Sequence, residues 1–212
     1  FDAALIAYLF GTVFAVFGIT YRYSVWLQRP PTKLYWRRTW QFAFSKSFIA
    51  YIGRMFALFI KNIVFQRFIY PRGRNRWVGH FLLATGCSIA FAVTIPLTLG
   101  WIHFTLKPGS FDIYEAHLFG FSVMDFRLGS IIFHVLGWCS ILVIIGALMM
   151  MSRRLTNGGL IATQSFEGDW LPLILLLIIS VTGLGITYDY TFLQGKTHQF
   201  MSVIHAITVI LF

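Results

Sequence analysis

Residues 129–151 read GSIIFHVLGWCSILVIIGALMMM, a run of 23 residues without a formal charge and with one histidine, His134, near its start. Crossing about 30 Å of hydrocarbon takes about 20 mostly apolar residues in a helix. The run therefore reads as a spanning helix. Working outward, segments 3–21, 77–102 and 170–188 satisfy the same criterion, and a fifth apolar segment, 198–212, runs to the end of the chain. Tyr21, Trp77, Trp101, Trp170 and Tyr188 mark several of the ends, where amphipathic rings favour the headgroup level.

Composition agrees with this reading. The 212 residues are 58% hydrophobic and 11% charged, against about 25% charged in soluble domains. The fold class expected is an all-α integral membrane protein, a single membrane domain over residues 1–212, built as a five-helix bundle. Because the chain begins at Phe1 and ends inside an apolar run at Phe212, it is expected to be part of a longer protein. Its two cysteines, Cys87 and Cys139, lie in apolar runs and offer no disulfide framework and no Cys-x-x-Cys cluster.

The net charge of +10 is distributed by connection. Residues 22–76 hold twelve of the 17 Lys and Arg, Arg153 and Arg154 make a second basic turn, and Lys107, Arg127 and Lys196 are spread over the other connections. Alternate connections are thus basic and basic-poor, the positive-inside pattern. The N-terminus is expected outside and the basic connections in the cytoplasm. The charge is a topology signal and implies no nucleic-acid partner.

Segment 41–70 is apolar but broken by Lys46, Arg54 and Lys61, which fall on one helical face. It is read as an amphipathic helix lying in the cytoplasmic interface rather than crossing.

Counting 1.5 Å of rise per residue, His134 and His205 should lie roughly 8–10 Å below the outer boundary on two different helices. Ionisable groups at that depth are costly and call for a partner. Two axial imidazoles on facing helices are what a haem iron needs. Gly137, Gly146, Gly183 and Gly185 would leave room for a flat macrocycle. His80 lies near the cytoplasmic end of the second span, with Arg76 one turn earlier, placed to meet a propionate. The bland alternative is an imidazole that only hydrogen-bonds a neighbouring helix. His103 and His117 read as rim residues, and His198 as interfacial. All seven acids fall in connections or at helix ends.

The motif Arg76-Trp77-Val78-Gly79-His80-Phe81, the run His205-Ala206-Ile207-Thr208-Val209-Ile210-Leu211-Phe212, the five helices and the basic connection before the second together resemble a known family. It is that of the gamma subunit of respiratory nitrate reductase and the membrane cytochromes b attached to heterodisulfide-reductase-like iron–sulfur proteins. The resemblance implies two b haems, with His205 ligating the outer iron. His80 would ligate the inner one together with a histidine about five turns after His205. The family carries a second histidine ten residues after the first on the second helix, and here that position is Ala90. The depth argument offers His134 in its place.

The function so implied is the membrane cytochrome b subunit of a quinone-linked respiratory oxidoreductase in a bacterial or archaeal cytoplasmic membrane. It would pass electrons between quinone (menaquinone included) and an iron–sulfur subunit on the cytoplasmic side. His103 and Lys107 are candidate quinone contacts. The rival readings are a haem-free anchor subunit and a proton-coupled transporter.

Overall fold

The computed structural model describes residues 2–127, 129–192 and 194–212. The chain divides after Phe68 into two compact units.

The first unit is helical throughout. Helix α1, Asp2–Leu27, has 26 residues, about 39 Å by its rise, and exposes Phe10, Phe14 and Phe17. Pro30 and Pro31 hold Arg29 extended and open α2, Pro30–Ala43, since proline's fixed φ suits a first helical turn. A ladder of rings (Tyr23–Trp36, Trp36–Trp40, Trp40–Phe44, centroids 5.4–6.2 Å apart) ties the end of α1 to α2. The chain turns at Phe44–Ser45 and enters α3, Lys46–Phe59, which a π-helical turn, Ile60–Val64, prolongs.

Segment 41–70 is thus not one helix. Lys46–Val64 makes 19 continuous helical residues, long and apolar enough to cross a membrane by length and composition. Lys46 and Lys61 sit near its two ends, leaving Arg54 as the interior charge.

The second unit begins with a 3-10 turn, Tyr70–Arg72, and Gly73, whose φ of 127° turns the chain into α4, Arg74–Thr98. Gly100, at φ 72°, ends that helix in the left-handed conformation glycine tolerates. There follows an antiparallel sheet ordered β1 (Ile102–Leu106), β2 (Ile113–Leu118), β3 (Phe121–Arg127). The purely helical expectation is corrected here. Residues 113–118 and 121–127 are rich in β-branched and aromatic residues, and the two-residue turn Phe119–Gly120 has the double positive φ of a tight hairpin.

A 3-10 turn, Ile131–His134, leads into α5, Val135–Thr156. The short α6, Gly158–Thr163, is capped by the Asn157 side chain. A π-helical turn, Phe166–Trp170, enters α7, Leu171–Phe192, and α8 spans His198–Leu211.

In this unit α5 packs between α4 and α7, and α8 packs on α7. The α4–α5 seam is made by small residues. A Cβ on Gly146 would stand 2.7 Å from the Leu83 nitrogen, and one on Gly86 2.9 Å from the Cys139 carbonyl. Glycines here let backbones touch, as in other membrane helix pairs. Among the described residues four helices are long and apolar enough to cross a membrane: Lys46–Val64, Arg74–Thr98, Val135–Thr156 and Phe166–Asp189. With so many apolar side chains facing outward, this is an integral membrane protein.

Candidate functional site

The α7–α8 contact holds the best-positioned histidine. Half-buried His205 points Nδ1 at the Ile179 carbonyl, 3.1 Å away, and at Thr182 Oγ1, 3.0 Å away. Thr182 has one hydroxyl proton and donates it to the Ile178 carbonyl at 2.7 Å. Toward His205 it therefore accepts, so Nδ1 carries the ring proton and Nε2 carries the lone pair. An Nδ1–H held by a carbonyl with Nε2 free is the arrangement that orients a metal-ligating imidazole. Gly183 allows it: a Cβ there would meet His205 Cε1 at 3.4 Å.

His134 is placed differently from the expectation. It ends the 3-10 turn and caps α5, because residues 129–134 do not belong to that helix. Its ring stacks on Tyr188, centroids 6.4 Å apart and planes 7° from parallel. Tyr188 lies six residues beyond Thr182 on α7, about 9 Å of rise. The two histidines therefore meet α7 at residues six positions apart. The glycines expected to leave room are also covered. Gly146 faces the Leu83 and Gly79 backbone, Gly185 faces Met201, Gly137 faces Tyr188 Oη, and Gly183 faces His205 itself. A haem thus fits the donor geometry of His205, but not a His134–His205 pair at one level.

His80 lies half-buried in the second turn of α4, beside Gly79, which packs on Met149 of α5. Arg76, four residues before it, lines a cavity of about 860 Å³ between the start of α4 and the end of α5. Both are at the end of the unit opposite His134.

Two features were missed in the sequence. His103 and His117, read as separate rim residues, are cross-strand partners on β1 and β2, stacked 4.8 Å apart at 5°. Thr105 Oγ1 stands 2.7 Å from His117 Nε2, and Glu115 is 3.7 Å from the same nitrogen. Lys107, the other candidate quinone contact, is engaged by Asp125. The second feature is Asp189. It is 1% exposed within α7, where the sequence reading ended the helix one residue earlier. Its Oδ1 accepts from the Thr197 backbone nitrogen at 3.2 Å and from the Thr197 hydroxyl, and its Oδ2 is buried without a hydrogen-bond partner. A carboxylate followed eight residues later by a threonine at a helix start was the legible signal.

Among the described residues no three His, Cys, Asp or Glu come together as a metal-ion site. No family model matches the chain, and neither a curated protein nor a solved structure gives a significant match.

Proposed function

We propose that the chain is the membrane cytochrome b subunit of a quinone-linked respiratory oxidoreductase. The observation that carries the reading is His205, with Nδ1–H fixed by Ile179 and Thr182, which leaves the ring's lone pair on Nε2. His205 would hold the outer haem and His80 the inner one, with Arg76 placed to meet a carboxylate of the inner group. Haem b, when bound, supplies one-electron redox chemistry between the quinone pool and an iron–sulfur protein. The basic segment 22–76 faces that protein on the cytoplasmic side, and the N-terminus lies outside. His134 is the weakest member of the ligand set, because it meets α7 about 9 Å from the level of His205.

The filled glycine positions favour a second reading, a haem-free anchor for a peripheral partner. The test is the dithionite-reduced minus oxidised spectrum of the protein purified in mild detergent, with haem counted after pyridine extraction. A b-type alpha band that His205→Ala removes supports the cytochrome. A flat spectrum from folded protein leaves the anchor.

A further inference from the structure

The cavity at the junction of α4 and α5 has a second use that needs no haem. Arg72 enters it from the 3-10 turn before α4, Arg74 and Arg76 from the first turn of α4, and Ser152, Arg153 and Thr156 from the end of α5. No carboxylate lines it. The ion pairs among the described residues employ Lys107, His117, Arg127 and Arg154. Arg154, adjoining the cavity, is matched with Asp169 at 2.7 Å, while the four arginines within it have no acid. Arg153 lies within reach of the charges of Arg76 and Arg154. Four unmatched cations around one space repel one another until an anion enters.

The local helix end sharpens this. Asp and Glu favour the first turn of a helix, where free N–H groups and the dipole are positive. Here the first turn has no acid and no side-chain cap, and instead carries Arg74 and Arg76. Electrostatically this is the reverse of the usual choice. An oxyanion held by those guanidinium and N–H groups reconciles it.

The apolar side of the cavity tells which oxyanion. Leu148, Met149 and Met150 form its inner wall. Leu148 continues an exposed stripe along α5 through Ile145, Ile141 and Trp138, spaced three or four residues apart. A free phosphate has no use for such a track, whereas the acyl chains of a phospholipid lie along it. The volume is within the range of about 300–1,000 Å³ usual for small-ligand sites. We infer that this cavity binds the phosphate of an anionic phospholipid, with its chains against the outward face of α5.

The test uses the purified protein in a neutral detergent. Binding is followed by native mass spectrometry as phosphatidylglycerol, phosphatidylcholine or inorganic phosphate is added. Phosphatidylglycerol is expected to bind saturably and the other two are not. Each arginine removed should weaken binding about fivefold, so Arg74→Gln/Arg153→Gln loses about 25-fold. Arg127→Gln on β3, the same single change of charge as Arg72→Gln, leaves the affinity unchanged. If the double variant does not fold, Arg72→Gln alone is read, with a fivefold loss expected. Equal binding of phosphatidylcholine, or variants that bind like the parent, overturns the site. Inorganic phosphate competing at equal concentration overturns the lipid as its source. Arg76 is left intact in these variants, so the haem spectrum and the lipid affinity succeed or fail separately.

Discussion

His205 on α8 and Ile179 on α7 are joined by a hydrogen bond from Nδ1 to the main-chain oxygen, 3.1 Å long. A main-chain acceptor cannot be removed by side-chain substitution. The imidazole is therefore aimed by the fold of α7, with Thr182 as a secondary acceptor at 3.0 Å. On the proposed cytochrome reading, Thr182→Val should accordingly cost about 1 kcal/mol and keep the haem band, whereas His205→Ala should abolish the outer haem. Pyridine haem counts with thermal unfolding separate the two effects. A Thr182→Val protein that loses its haem would show that the hydroxyl, not the carbonyl, sets the tautomer.

The α4–α5 seam predicts an asymmetry among glycines. Gly146→Ala would force a methyl to 2.7 Å from the Leu83 nitrogen and 2.8 Å from the Gly79 oxygen, atoms that cannot rotate away. Overpacking of this kind costs about 1–3 kcal/mol. Gly18→Ala on α1, with nothing within 4 Å, should be neutral or gain about 0.5–1 kcal/mol from helix propensity. Thermal unfolding of the two variants in one detergent makes the comparison.

Asp189 and Thr197 close the α7–α8 connection. Truncating Asp189 to Ala leaves the Thr197 nitrogen and hydroxyl without their acceptor, at about 1–3 kcal/mol for the buried donors. Asp189→Ala and Thr197→Val should be strongly non-additive in a double-mutant cycle on unfolding. Additive losses would mean that each side chain acts alone.

The sheet carries a pH signature. The hydrogen bond that Lys107 donates to Asp125, followed by the carboxylate's charge, raises the Lys107 ammonium above the ordinary lysine value. A raised pKa in the folded state gives a contribution that is complete below the unfolded value and lost as pH climbs through the folded one. The pair thus steadies the strands through neutral and mildly alkaline pH, fading only above the lysine range. Lys107→Met should remove that alkaline limb from amide exchange of β1 and β3. Both residues are largely solvated, so high salt should shrink the effect.

Segment Lys46–Val64 separates two topologies. Arg54 at its middle would cost about 2.5–3.5 kcal/mol at the bilayer centre, which favours lying in the interface. Reporters fused after Gln28 and after Gly73 should then report the same side. Opposite sides would make Lys46–Val64 a spanning helix and invert every later connection.

The long elements were legible because a membrane helix announces itself in composition alone. Segment 198–212 agrees with α8 almost to the residue, and the span expected at 77–102 agrees with α4 at its core. The failures fall where local chemistry competes with hydrophobicity. Residues 131–133 are apolar, yet they turn with His134 in a 3-10 geometry, which leaves His134 ahead of α5 rather than within it. The sheet hides in a connection too polar and too short to score as core. Its signal was β-branched and aromatic strands on either side of Phe119–Gly120. Asp189 was missed because the helix expected to end at 188 runs on to Phe192, and helix ends are the least reliable feature of any sequence reading. Arg76 and His80 were visible as a motif, but the arginine cavity was not, because Arg153 is distant in sequence and meets them only through the antiparallel packing of α4 and α5.

The backbone contact at Gly79, Gly86 and Gly146 also limits how the protein can move. Two helices touching main chain to main chain have no side-chain cushion to slide over, so α4 and α5 behave as one plank. Any internal rearrangement of this unit must then hinge elsewhere. The α7–α8 joint is the softer place, since His205, Met201 and the Asp189–Thr197 clasp are side-chain contacts that can be exchanged without parting two backbones.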